Sequence, residues 1–475
     1  MNPAALLEPE QVARTHEASL EVLERVGLLV HHEPARDVFA RHGCRVDRAT
    51  NRVTFPPAVV ETYRRMVPAA FTFHGRDARW DRTIPGDGPL IVTGSSAPDL
   101  VDRATGAIRR ARAADVADIA RLIQALPAYD VFSISTLAED APPGRFTAAR
   151  LLPTLRHCAK PVRVTTTDRA DAEAVLRMLY AVAGGEAAYR ARPFVTHHYC
   201  PVVSPLTMDR LSTDALMFFC EQGLPAYPSI VPTAGLTAPM TLAGTLVQGN
   251  AEFLAATVLM QMVRERTPTI YATLPTAADM RTGAYASGGI ECGILHMAFA
   301  QLARFYGVPC GGYVGLTNSK LNDAQAGYET GLSAVAGVLG GMDMLNVGGL
   351  LGALTVFDFA KAVTDDEIGR MLKHVKRGIA FDEEALAIEI IAETGPGGSF
   401  IAGSHTAEHM RTEALLPALS DRDPRPVWEG KGALDAHARA RARVEEILAT
   451  PSPALLSPAV EARIRKEFPE LTPAA

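Results

Sequence analysis

Short apolar runs recur through the middle of the chain in a rhythm that few folds satisfy. They lie at 90–93, 131–135, 162–166, 194–199, 226–230, 269–273, 309–313 and 344–347. Each precedes a longer stretch of helical periodicity: 114–125, 145–157, 168–183, 209–222, 241–266, 289–306, 323–339 and 357–375. Strands of this kind that alternate with helices form parallel βαβ units. Eight alternations predict an α/β fold, a (β/α)8 TIM barrel. The segment 307–352 shows one unit plainly: an apolar run, paired glycines, a polar loop, a helix rich in Ala and Gly, and a second apolar run. Residues 97–110 read as a hairpin inserted between the first strand and its helix.

The rest of the chain falls outside that rhythm. Residues 1–85 predict an N-terminal α+β cap, with helices at 12–26, 33–42 and 57–66 and a small hairpin turning at 48–51. The barrel is assigned to 86–377, and 378–475 to a C-terminal helical extension interrupted by GPGG at 395–398. At 475 residues the chain is long enough for one large barrel with such additions. A net charge of −6 with no basic block argues against a nucleic-acid partner. The six cysteines (44, 158, 200, 220, 292 and 310) form no CxxC pair, which fits reduced thiols in a cytoplasm. The N-terminus lacks the basic and apolar regions of a secretory signal, and the apolar runs are too broken for a membrane span.

Chemistry in such barrels sits where the strands end. That rim is rich in hydroxyls, amides and tyrosines. Tyr199, Tyr227, Tyr271 and Tyr313 lie in or near strand ends, where each either packs in the core or offers its face to a quaternary ammonium group. Asn346 closes the last strand, and Asn318 and Gln325 flank the polar loop and helix after the seventh. The candidate catalytic carboxylates are Glu291, Asp323 and Glu329; Asp323 is equally placed to cap its helix. Arg281 can hold a substrate carboxylate bidentately or join a surface ion pair. His405 and His409 stand one turn apart without a third ligand, so no metal is expected there, and His405 is expected to reach over the rim from the tail. HHYC at 197–200, which Cys292 and Cys310 could join, is the other possible metal site.

Several blocks resemble the trimethylamine methyltransferase superfamily, in order along nearly the whole chain. They are LEVLERVGLLVHHEPARDVFARHGCRVD at 20–47, SPLT at 204–207, GLTAPMTLAGTLVQGNAEFLA at 235–255, DMRTGAYASGG at 279–289, DAQAGYE at 323–329, LGGMDMLNVGGLL at 339–351, GPGGSF at 395–400 and HTAEHMR at 405–411. The resemblance implies the same barrel and a corrinoid-dependent methyltransferase. It adds weight to Glu291, Asp323 and Glu329. Founding members carry pyrrolysine on a loop near the barrel mouth, expected here within 314–318, where this chain has only standard residues. The branch without pyrrolysine is associated with quaternary amines such as glycine betaine, proline betaine and carnitine. The implied reaction therefore moves a methyl group from a quaternary amine to Co(I) of a corrinoid (cobalamin), free or on a partner corrinoid protein, since no DxHxxG motif appears in the chain itself. A homo-oligomer is expected. A non-catalytic protein that binds methylated amines and a zinc-dependent methyltransferase on the same barrel are the alternatives.

Overall fold

The computed structural model describes residues 2–471. Eight parallel strands close into a barrel: β1 (Leu90–Val92), β2 (Tyr129–Ser133), β3 (Val162–Val164), β4 (Val195–Tyr199), β5 (Ala226–Ile230), β6 (Tyr271–Thr273), β7 (Cys310–Gly315) and β8 (Met344–Val347), with β8 paired back to β1. Eight helices follow in turn: α1 (Ala113–Ala125), α2 (Phe146–His157), α3 (Arg169–Ala183), α4 (Arg210–Gln222), α5 (Leu242–Val263), α6 (Ile290–Tyr306), α7 (Ala324–Leu339) and α8 (Phe359–Arg377). The periodicity is therefore realised as the (β/α)8 barrel it predicts. The hairpin after β1 is also present, as Asp99–Val101 paired antiparallel with Ile108–Arg110.

Side chains alternate between the two faces of a strand. One set faces the helices, and the other fills the barrel. The barrel is plugged where its strands begin. A hairpin of Phe71–Phe73 and Arg82–Ile84 packs Phe71, Phe73 and Ile84 against Leu90, Val92, Val131, Tyr227, Ala272 and Met344. The opposite end, where the strands finish, is where the loops form a mouth.

The N-terminal cap is joined to the barrel through a shared sheet. Its strand Leu28–Val30 pairs antiparallel with Arg52–Thr54 and parallel with Thr207–Met208 from the β4–α4 loop. The preceding helix, Pro9–Arg25, runs into Gly27, whose φ of +69° and contact with the Val53 carbonyl leave no room for a Cβ. This cap explains α5, which is apolar on nearly every face. Its outward face, which would otherwise meet water, is covered by the cap. Ser19 of the cap accepts from Asn250 Nδ2 at 2.9 Å, and Asn250 Oδ1 accepts from Tyr271 Oη at 2.7 Å, so one amide ties cap, helix and barrel strand together.

The tail leaves α8 at the plugged end. Lys373, one turn before the end of α8, reaches Asp130 at the start of β2 at 2.7 Å. From there 378–435 runs as an arm with four short helices that bury none of their residues, and Ile379, Phe381 and Ile401 are exposed. The chain then returns as a helix, Ala436–Ala449, packed along α8. No helix among the described residues is long and apolar enough to cross a membrane.

Asp366 of α8 gives this region a pH dependence. Its carboxylate accepts from the Ala128 backbone N–H at 2.7 Å, and burial pushes its pKa up to about 6 from 3.8. The unfolded chain releases this proton first, so the folded state binds more protons between those values. The stabilising contribution is full below the lower pKa and is lost as pH rises through about 6. The wild type is expected to lose about 1–3 kcal/mol more than Asp366→Asn between pH 4 and pH 7. Urea denaturation of both proteins at the two pH values measures it, and equal losses would refute it.

Candidate active site

The interior above the plug is organised by a residue that is not among the sequence candidates. Arg163, the middle residue of β3, is 1% exposed and points into the barrel. Its Nε donates to Ser133 Oγ on β2 at 3.0 Å. Its Nη1 donates to Tyr227 Oη on β5 at 2.9 Å and to Asn346 Oδ1 on β8 at 3.4 Å. Its Nη2 donates to Tyr313 Oη on β7 at 2.8 Å, and the guanidinium carbon lies 5.3 Å from that ring's centroid. Five strands thus converge on one guanidinium. Its hydrogen-bonded and electrostatic neighbours are neutral, and the tyrosines help hold its pKa above the ordinary arginine value despite burial.

The wall continues upward from this cation. Tyr313 Oη exchanges a 2.6 Å hydrogen bond with Ser95 Oγ, beyond β1. Asn346 Nδ2 donates to the Thr93 carbonyl at 3.1 Å. His198 of β4 stands beside them, its ring 5.1 Å from that of Tyr227 and 6.4 Å from that of Tyr313. Its Nε2 is buried without a hydrogen-bond partner, and desolvation with the nearby Arg163 charge keeps it neutral, well below the usual histidine pKa. Tyr285 packs with Leu274, Tyr313 and Leu316, and its hydroxyl is also buried and unpartnered. Ser287 Oγ is a third such atom. Buried polar atoms normally find partners, so these three mark places for a ligand's polar groups or for water. Cys200, just past β4, is exposed to solvent yet surrounded by protein, and its thiol is pushed up to about 11.

The four sequence-nominated tyrosines divide by strand parity. Tyr227 and Tyr313 face the interior. Tyr199 faces the helices, bonded to Thr166 Oγ1 at 2.6 Å and packed on Phe219. Tyr271 also faces the helices, stacked on Phe253 at 3.8 Å and bonded to Asn250. Neither ring can reach a ligand inside the barrel. Asn346 is interior, as described.

A second group of candidates forms a clamp on the loop after β7. Glu329 Oε2 accepts from Thr317 Oγ1 at 2.5 Å and from the Asn318 N–H at 2.8 Å, while Oε1 accepts from Gln325 Nε2 at 3.0 Å. Asn318 then accepts from the Gly288 N–H at 2.8 Å and donates to the Tyr285 carbonyl at 2.9 Å. This chain of bonds fixes the loop that carries Tyr285 and Ser287 over the mouth. A Cβ at Gly288 would overlap the Glu329 carboxylate, which accounts for glycine there.

The remaining candidates lie elsewhere. Asp323 accepts from the Ala326 N–H at 3.0 Å and from Ser319 Oγ at 2.8 Å, so it is the N-cap of α7, and its pKa is lowered by those bonds. Glu291 sits half-buried in the first turn of α6 and forms no hydrogen bond or ion pair within the described residues. Arg281 is 87% exposed on a hairpin turn, paired to Asp279 at 2.6 Å. His405 lies on the arm that departs from the plugged end, with its ring against His409, and so does not cross the rim as expected. No group of three or more His, Cys, Asp or Glu side chains is placed to hold a metal ion among the described residues. His197, of the HHYC segment, faces the helices and stacks on Phe219 at 3.5 Å, away from His198. A surface groove of about 610 Å³ is apolar and lies between the N-terminal helix, α5 and α6, outside the barrel.

Comparison with known proteins finds relatives along nearly the whole chain. The family model described as trimethylamine methyltransferase (MTTB) matches residues 1–469. A glycine betaine methyltransferase of Desulfitobacterium hafniense strain Y51 is 34% identical over 97% of this chain and 95% of its own length. A trimethylamine methyltransferase of D. hafniense strain DCB-2 is 31% identical over 96% of this chain and 92% of its own. The solved monomethylamine methyltransferase of Methanosarcina barkeri superposes with a TM-score of 0.49 at 11% identity, over 93% of this chain and 92% of that one.

Proposed function

Because the chain belongs to the trimethylamine methyltransferase family, we propose that it transfers a methyl group from a quaternary amine of the glycine betaine type to the Co(I) centre of a corrinoid protein. The observation that carries this reading is the neutrality of the reacting surface. The only carboxylate in the eight barrel strands is Asp130, at the plugged end, where it holds the Ile91 N–H at 2.9 Å. The mouth offers hydroxyls, an amide, a neutral imidazole and aromatic faces instead.

Such a surface suits one kind of methyl transfer. A quaternary nitrogen already carries full charge, and its departure as a tertiary amine needs no proton. Co(I) of a corrinoid supplies the nucleophile. The protein's share is to hold the N–CH₃ bond in line and keep water out. Tyr313 and Tyr285 can face the ammonium, a contact worth about 0.5–2 kcal/mol per ring. The unpartnered His198 Nε2, Tyr285 Oη and Ser287 Oγ fit a small polar substrate below the open end. The corrinoid meets that substrate from outside, as a second substrate.

An anaerobic assay with reduced cob(I)alamin, with and without a cognate corrinoid protein, tests the reaction. Glycine betaine, proline betaine and carnitine are compared with choline and trimethylamine. Loss of the Co(I) spectrum with a quaternary amine, together with release of the tertiary amine, is the expected result. No change with any of them would overturn the reading.

A further inference from the structure

We infer that Arg163 is the anchor for the substrate's carboxylate, and that it selects zwitterionic quaternary amines over choline and trimethylamine. The inference rests on the mouth being the amine site.

A buried guanidinium without an anion is costly, even when neutral groups satisfy its hydrogen bonds. Arg163 has five N–H donors, and four bonds are accounted for by Ser133, Tyr227, Asn346 and Tyr313. One N–H on Nη2 is left without a partner within the described residues. It lies on the side of Tyr313, whose hydroxyl leads out to the half-buried Ser95. His198 supplies an independent sign of a ligand. It is 7% exposed, it contacts the two tyrosines that hold Arg163, and its Nε2 has no partner. With its proton on Nε2, the ring is a second neutral donor beside the guanidinium. A carboxylate would accept from both and neutralise the buried charge.

This placement orders the substrate. The carboxylate enters first, toward Arg163. The ammonium is repelled by the guanidinium and stays outward, among the tyrosine faces near the mouth. Its methyl groups then point to the open end. Choline and trimethylamine would bring positive charge toward Arg163 with nothing to offset it. The exposed Arg281, already paired to Asp279, has no part in this arrangement.

Calorimetric binding to the full chain tests the anchor without any corrinoid. The probes are glycine betaine, its methyl ester, choline, and 3,3-dimethylbutanoate, which keeps the carboxylate but replaces nitrogen by carbon. The wild type is expected to bind both carboxylates and to prefer glycine betaine over its ester about 100-fold. Arg163→Met should weaken both carboxylates by about 100-fold and bind choline at least as well as the wild type does. Arg163→Lys should restore part of the loss, as a point charge without the planar fork. Thermal melts verify folding, and the comparison of acid with ester in the wild type stands even if the methionine variant does not fold. Equal affinity for acid and ester, or equal weakening of carboxylates and choline by Arg163→Met, would overturn the anchor. Arg163-dependent binding of 3,3-dimethylbutanoate without turnover of any amine would leave the anchor standing and remove the methyl-transfer reading. Turnover of glycine betaine with an unchanged KM in Arg163→Met would do the reverse.

Discussion

Replacing Lys361 by methionine is expected to cost about 3–5 kcal/mol of folding stability. Lys361 and Asp365 form a fully buried ion pair one turn apart on α8. Lys361 Nζ also donates to Thr330 Oγ1 on α7 at 3.1 Å, and Asp365 Oδ2 accepts from the Gly349 N–H at 2.8 Å. Burial raises the Asp365 carboxyl above the ordinary range even beside the ammonium, so removing the lysine leaves an aspartate that must ionise alone or stay protonated. The effect should extend to the mouth. Gly349 follows β8, and the Gly348 carbonyl accepts from Gly94 at 3.0 Å, next to Ser95. A double variant, Lys361→Met with Asp365→Asn, removes both charges and keeps an oxygen for Gly349. It should recover to within about 2 kcal/mol of the wild type, because neutral replacements spare the uncompensated charge. Denaturant titration of the three proteins measures this. A single variant that loses less than about 1 kcal/mol, or a double variant as unstable as the single, would show that the pair is not coupled as described.

The fold was legible in the sequence because a barrel repeats one instruction eight times, so an error at one strand does not propagate. The site was harder to read, and the reason is visible in β3 and β4. The run Val162–Val164 is too short for alternation to declare itself, and the arginine between two valines in a buried strand is the one signal it carries. Only closure of the barrel shows that Arg163 points inward, where side chains from four other strands meet it. The tyrosines carried more information than their composition suggests. Tyr199 shares parity with His197 and opposes His198, so His198 had to face one way and the other two the opposite way. Which set faced inward depended on pairing, and His198 opposite Tyr227 fixes it. Asp323 behaved as its position before a helix dictates. His405 was misplaced because spacing cannot tell at which end of the barrel a tail departs; the pairing of Lys373 with Asp130 settles that.

Glu329 separates positioning from proton transfer, and the expected result is a divergence between two variants. Its carboxylate accepts bonds from Thr317, Asn318 and Gln325, which consume its oxygens in holding the β7 loop. Methyl transfer from a quaternary amine gives it no proton to move. Glu329→Ala should therefore release Thr317 and Asn318, let the loop with Tyr285 and Ser287 drift, and lower kcat/KM about 100-fold, the scale of a misplacement near 1 Å. Glu329→Gln keeps an oxygen for Thr317 and Asn318, and its amide can donate to the oxygen of a flipped Gln325. It should retain activity within about tenfold, since the bonds become neutral and roughly half as strong. A general acid or base gives the opposite pattern: glutamine carries no transferable proton, and both variants would fall by about 10²–10⁴. The pH dependence adds a second readout. Glu329→Gln should keep the wild-type profile, because the group it removes transfers no proton in the reaction. A glutamine variant as inactive as the alanine variant, with one limb of the profile gone, would place Glu329 in the chemistry and require a substrate whose leaving group takes a proton. Rescue by glutamine would leave the neutral mouth and the buried Arg163 to carry the substrate alone.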